Sequence, residues 1–484
     1  MPLPPLETTS PSDWKYTAEG GANLVASFAG PASSPFWGHA LRLRKRKKRA
    51  GGTKEAEDAV PSEVDVDFGA RVIAPLLGEA NVVEMEKVRL ERGWLEELVE
   101  DMRAKAVRPV ERESEDEIDL DAPEGVVVED LIAGRGVLAV EIKPKWGFLP
   151  SPTHLSPSNA SIKTTYCRTC MHRHYKASED GGSDGFCPLD LYSGDPPRVH
   201  KALEQLHATW VSSEGAINNL RIFLDGKKVL PGDASQAAAL NQAFHHLTAT
   251  ISPASPVSPA TLFARALAPT LLHSPALPLL RDLQSLLDVL DIEGLASFLS
   301  RTTGVDLAEK YGPEEVERLG GQPRLEEWVE WVGRYAPVLG RREEEEPAPL
   351  KHDEWERAKA TLESRFLASA TPDQDSPTPP WREAILAYLL SATFKDCSLI
   401  IRLPLDLAAS TVGTVKAIDL DPKPINRLGK YFRMDREIVE CWKERLERSK
   451  TEGRAGEVRK CSEAACEATA EGCSPKMTTR TASS

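Results

Sequence analysis

The chain has 484 residues, enough for two or three globular units, and its 41% hydrophobic and 28% charged content is ordinary for a packed soluble protein. A formal net charge of −14 argues against a general nucleic-acid binder, and no apolar run approaches the about 20 residues that cross a membrane. Eight cysteines in so long a chain do not form a disulfide framework, and "MPLPPLETTSPSDW" lacks a charged-then-apolar secretion signal, so a reducing intracellular compartment is expected.

"WKYTAEGGANLVASFAG" (14–30) alternates polar and apolar residues around a Gly pair, which predicts a strand, a turn and a second strand. "HALRLRK" (39–45) continues as a third strand. The charged, aperiodic stretch that follows gives a basic mobile loop over 42–63, with Arg42 shared between strand and loop. "GWLEELVEDMRAK" (93–105) carries Trp94, Leu95, Leu98, Val99 and Met102 at helical spacing. "GVVVEDL" (125–131) and "VLAVEIK" (137–143) are short β-branched runs, so residues 1–146 read as a small α+β lobe.

Residues 147–449 read as a second, mainly helical unit, in which "RDLQSLLDVLDIEGLASFL" (281–299) aligns Leu283, Leu286, Leu287, Leu290 and Leu295 on one helical face. Segments 252–275 and 340–380 look like linker-like insertions, and 450–484 like a disordered tail.

Several motifs carry chemistry, each with a plainer alternative. Glycines in "EGGAN" (19–23) let backbone N–H groups approach phosphates, or simply close a hairpin. Asp419 and Asp421 of "AIDLDPKP" share one face of a strand end, which suits Mg²⁺ held together with phosphates or plain solvated acids. Asp396, between apolar runs in "YLLSATFKDCSLIIRL", is a candidate general base or a turn residue. Cys167, Cys170, His174 and Cys187 have spacing suited to a structural Zn²⁺ clip over 167–187, whereas Cys397, Cys441, Cys461, Cys466 and Cys473 have no assignment. "RLRKRKKR" (42–49) fits a nuclear-import or nucleic-acid patch, or a solvated loop. The basic residues Lys143, Lys145, Arg168, Lys176, Arg221, Lys423 and Arg427, if they converge, need a polyanion to offset their mutual repulsion.

In chain order, "EGGANLV", "EIKPKWGFLP", "PLDLYSG", "NNLRIFLDG", "KDCS" and "IDLDPKP" resemble the signature segments of the inositol-pentakisphosphate 2-kinase family, in its fungal and animal form. The resemblance implies an α+β, two-lobed inositol polyphosphate kinase-like fold with a small antiparallel-sheet lobe and a larger mainly helical lobe. It implies transfer of the γ-phosphate of ATP to the 2-hydroxyl of inositol 1,3,4,5,6-pentakisphosphate, with Mg²⁺. Gly20, Gly21, Ala22, Asn23, Arg42, Glu141 and Arg221 would then hold the nucleotide, Glu141 from the hinge. Arg112, Lys143, Lys145, Arg168, His172, Lys176, Asn218, Asn219, Lys423, Arg427 and Tyr431 would hold the inositol phosphate. Asp396 would be the base, aided by Lys143, and Asp419 with Asp421 would bind Mg²⁺. Glu129 stands where plant members carry an asparagine toward the nucleotide. A monomer in the nucleus, and also in the cytoplasm, without membrane or specific nucleic-acid partners, completes the expectation. The competing class is a non-catalytic, zinc-clipped polyphosphate- or nucleic-acid-binding protein, which would not require Asp396 and Asp419 together.

Overall fold

The computed structural model describes residues 3–461 apart from 22, 49–62, 178–184, 249–256, 309–310, 342–344, 369–377, 406–412, 453–457 and 459. The first sheet is built from β1 (Trp14–Glu19), β2 (Asn23–Phe28), β3 (His39–Lys47), β4 (Met85–Arg89), β5 (Asp116–Ile118) and β6 (Glu124–Glu129). Its order is β1-β2-β3-β6-β4, with β5 pairing the far end of β3, and every pairing is antiparallel. Alternation works as the sequence predicts: Leu24 and Ala26 of β2 and Leu41 and Leu43 of β3 face a core closed by Trp14, Phe28, Phe36 and Trp94. The helix Arg92–Ala104 buries Trp94, Leu95, Leu98 and Met102 against that core.

The basic run is a correction. Residues 42–47 belong to β3 and are not a mobile loop, while 49–62 lie outside the described residues. The alternation that buries Leu41 and Leu43 also turns Lys45 inward. There it meets Glu19 at 2.8 Å and Asp116 at 2.9 Å, and Arg108 reaches the same two carboxylates at 2.7 and 2.6 Å. Two cations shared by two anions form a satisfied buried network, and Glu19 is the residue just before the Gly-rich turn. Arg46, facing outward, pairs with Glu117 and Asp121. A run this engaged gives little support to an import or nucleic-acid patch.

The second sheet contains β7 (Val137–Ile142), β8 (Leu220–Leu224), β9 (Lys227–Lys228), β10 (Ser398–Pro404) and β11 (Thr414–Ile418), in the order β11-β10-β7-β8-β9. β7, which the sequence groups with the first lobe, is therefore the middle strand of the second, and the crossing between sheets falls at Asp130–Gly136. Helices pack around this sheet in the larger core, including Pro196–Ser212, Pro259–His273 and Pro380–Asp396.

The predicted helix over 281–299 is broken. One helix ends at Leu286 and the next starts at Asp291, whose φ is 56°. The break carries Asp288 and Asp291 into the interior beside Lys395 and Lys163. His352–Phe366, inside the expected 340–380 linker, and Pro259–His273, filling most of the expected 252–275 one, are helical. Part of the expected tail is ordered, since Val458 packs near Trp442 and Cys461 donates its N–H to Thr165 O at 3.1 Å.

Candidate active site

Two cavities flank the second sheet. The smaller, about 600 Å³, lies between the sheets and is lined by Val25, Ala40, Arg42, Val83, Glu129–Ile132 and, at its mouth, Asp419 and Asp421. The larger, about 900 Å³, takes Lys145, Trp146, Arg168, His172, Lys176, Asn218, Asn219, Lys395, Asp396, Lys423 and Tyr431 into its wall. Residues separated by almost 290 positions thus converge, and the wall is rich in cations.

The two cavities are joined through β7, β10 and the end of β11. Lys143 Nζ donates to Ser398 Oγ at 3.0 Å and lies 3.6 Å from Asp419 Oδ2. Ser398 Oγ has one proton to give and two carboxylates in reach, Glu141 Oε1 at 3.1 Å and Asp419 Oδ2 at 3.2 Å. Register explains the next contact. Glu141 of β7 stands opposite Arg221 of β8, and Arg221 Nη1 donates to Glu141 Oε2 at 3.1 Å. Asp419 holds φ at 59° and Lys145 at 63°, backbone conformations that non-glycine residues adopt at a cost. Such strain persists only where the surroundings fix it, and here Tyr192 Oη and Gln284 Nε2 both donate to Lys145 O.

Asp396 ends the helix Pro380–Asp396 with its side chain 62% exposed to the cavity, accepting from Lys423 Nζ at 2.9 Å. Burial would raise its pKa, but Lys423, Lys145 and Lys143 outweigh that and hold the carboxyl below the usual range. Burial depresses the Lys145 ammonium, with Lys143 and Lys176 adding repulsion and Asp396 opposing them. His172 is pushed down to about 4, first by burial and then by Arg168, Lys176 and Lys145, and its buried Nε2 has no hydrogen-bond partner among the described residues. A neutral imidazole and crowded ammonium groups describe a pocket awaiting negative charge.

The inositol-pentakisphosphate 2-kinase family model matches residues 16–437. The chain belongs to the inositol-pentakisphosphate 2-kinase family. It is 32% identical over 455 residues to the inositol-pentakisphosphate 2-kinase of Cryptococcus neoformans, covering 91% of this chain and 95% of that protein. The enzyme of the same name from Arabidopsis thaliana is 25% identical over 503 residues, 93% of this chain and 98% of its own. That from Danio rerio is 32% identical over 257 residues, half of each chain.

Against the family expectations, the structure draws Lys145, Arg168, His172, Lys176, Asn218, Asn219, Lys423 and Tyr431 into the larger cavity. Arg112 lies outside both cavities on the short helix Val110–Glu115, 3.8 Å from Glu115. Arg427, in the turn before the last long helix, does not line either cavity. Glu141 is not at the hinge: it is buried in mid-strand on Arg221 and Ser398, and Glu129–Ile132 occupy the hinge side of the smaller cavity. Gly20 and Gly21 leave open space above them, since an added Cβ meets nothing within 4 Å, and Gly20 N–H closes the turn on Asn23 O at 2.9 Å. Ala22 lies outside the described residues. Lys395 and Trp146, unassigned from sequence, also line the larger cavity.

The metal clip is a second correction. Cys167, Cys170 and Cys187 converge with Cys461, their sulfur atoms all within 4.8 Å of one another. His174 instead sets its ring edge-on to Trp442 at 5.6 Å. Cys170 and His174 share a helix, so the histidine starts about 6 Å further along the axis than Cys170. The first turn of that helix is where Cys167, as N-cap, and Cys187 meet, with their sulfurs 3.7 Å apart. A Zn–S bond of about 2.3 Å gives tetrahedral S···S edges of about 3.8 Å, so the four thiols fit a structural Zn²⁺. Among the described residues no helix is long and apolar enough to cross a membrane.

Proposed function

We infer that the chain is an ATP-dependent kinase that phosphorylates the 2-hydroxyl of inositol 1,3,4,5,6-pentakisphosphate, giving inositol hexakisphosphate. The observation that carries this reading is the cation-lined cavity with Asp396 on its wall, joined through Lys143 and Ser398 to the Asp419 carboxylate at the mouth of the second cavity. A binding protein would have no use for that juncture, and the family match supports the kinase over it.

The roles follow from charge and place. The apolar walls of the smaller cavity suit a purine, with the turn Gly20–Asn23 and Arg42 on the phosphate side. Asp419 and Asp421 would hold Mg²⁺, which supplies neutralisation of charge on the transferring phosphoryl group when bound. Lys143, 3.6 Å from Asp419, brings positive charge beside the same mouth, and Arg221 stands behind it on β8, held by Glu141. In the larger cavity Lys145, Arg168, His172, Lys176, Asn218, Asn219, Lys423 and Tyr431 would fix the phosphorylated ring, leaving one hydroxyl toward Asp396. Phosphates that engage Lys423 and Lys145 relieve the carboxyl of the cations that depress its pKa, so it becomes a better proton acceptor with substrate in place.

The four cysteines would hold a structural Zn²⁺ that ties the chain after the last helix to the start of the helix bearing Arg168, His172 and Lys176. Four thiols able to hold a metal suit a reducing compartment, the nucleus or the cytoplasm. Incubation of the purified protein with ATP, Mg²⁺ and the pentakisphosphate tests the reading: ATP-dependent loss of the pentakisphosphate supports it, and binding without turnover returns the protein to the non-catalytic class.

A further inference from the structure

The ring of Trp146 forms part of the larger cavity and has two cations close to it. Lys395 Nζ is 4.2 Å from the ring centroid and pairs with Asp288 at 2.5 Å. Arg168 sits 5.6 Å from the same ring, its side chain 13% exposed, and its Nε donates to Asp435 Oδ1 at 3.2 Å. Asp435 is buried on the long helix Leu428–Thr451, one turn beyond Tyr431, and is absent from the cavity wall. Its second oxygen accepts from Lys163 Nζ at 2.8 Å.

Lys163 shares its charge among three acids. Its ammonium also meets Asp291 at 2.6 Å and Glu293 at 3.3 Å. Among the described residues Asp435 is the carboxylate that accepts a hydrogen bond from Arg168, a largely buried guanidinium on the wall of the cation-rich cavity. With Nε engaged, the guanidinium plane is set, and its Nη groups make no hydrogen bond to a described residue. A guanidinium fixed at one edge presents its remaining donors in a defined direction, which suits bidentate contact with a phosphate.

We propose that Asp435 is a positioning residue of the inositol-phosphate pocket, acting on the substrate through Arg168. The proposal rests on the reading that this cavity takes the pentakisphosphate and that Arg168 touches it. Steady-state kinetics of Arg168→Gln, Asp435→Asn and the double variant separate the two. Arg168→Gln is expected to raise KM for the pentakisphosphate at least about tenfold, the scale of one lost charged hydrogen bond. Asp435→Asn is expected to raise that KM about tenfold, with kcat and KM for ATP within about twofold. The double variant should then be no worse than Arg168→Gln. An unchanged KM in Asp435→Asn, or a tenfold loss that multiplies on top of Arg168→Gln, overturns the proposal while leaving the pocket reading intact. An unchanged KM in Arg168→Gln overturns the pocket reading at Arg168, and the proposal with it. If Asp435→Asn does not fold, Lys163→Met/Asp435→Asn, which removes one charge of each sign, is compared with Lys163→Met alone. The same tenfold difference is expected there, and equal KM values refute the role.

Discussion

Replacing Cys461 by alanine tests the structure against the sequence pattern, because spacing names His174 as the fourth ligand and geometry names Cys461. Structural zinc sites contribute roughly 10–16 kcal/mol of apparent binding, so one thiolate in four is worth about 3 kcal/mol, on the order of a hundredfold in affinity. The loss extends to the fold, since the Cys461 side chain also packs against the buried Cys167, Cys187 and Leu189 cluster. The assay is zinc content per chain after dialysis against graded chelator, read beside the thermal melt. Cys461→Ala should release zinc at about a hundredfold lower chelator activity and melt earlier. His174→Ala should hold zinc as the unaltered protein does. Equal zinc retention in Cys461→Ala, or zinc loss confined to His174→Ala, refutes the four-cysteine assignment.

Asp396→Asn should lower kcat by about 10²–10⁴-fold with KM for either substrate changed little, as expected of a group that accepts a proton in the transition state; turnover near normal removes it as base. Burial, with Asp435 and Asp288 nearby, pushes Asp291 up to about 7 against the pull of Lys163. Unfolded Asp291 is ionised above about pH 4. Folded Asp291 keeps its proton until about pH 7, so its contribution to stability is present in acid and fades as pH rises through 7. Asn suits the left-handed backbone there and mimics the protonated acid, so Asp291→Asn should gain stability relative to the unaltered protein as pH rises from 5 to 8. Parallel denaturation curves across that range contradict the burial argument. Gly147→Ala places a Cβ 2.6 Å from the Tyr192 ring, which Gln284 and Lys145 hold in place. Chemical denaturation should show a loss of about 1–3 kcal/mol, and an unchanged midpoint would mean the ring moves freely.

The legible parts of the site are those whose information is local. Alternation gave β1, β2 and β3, and the motif segments at 141–150, 395–398 and 417–424 gave the acids and lysines that converge. Lys45 was also readable, because it continues the inward set of Leu41 and Leu43, but seven basic residues in eight positions outweighed the period-2 pattern. Glu141 was misplaced because a sequence cannot show which strand lies beside β7, and that neighbour supplies Arg221. The break at 287–290 carries no glycine or proline and keeps the leucine spacing, so the positive φ at Asp291 has no local signature. Cys461 lies 274 positions beyond Cys187 in a polar stretch, and only the docking of the last helix brings it back.

The most direct test of the central claim follows the pentakisphosphate with its free 2-hydroxyl through incubation with ATP and Mg²⁺, with products resolved by anion exchange. The account predicts one product, inositol hexakisphosphate, formed in step with ADP and abolished in Asp396→Asn. ADP release without hexakisphosphate, or no consumption of the pentakisphosphate by folded, zinc-loaded protein, would contradict it.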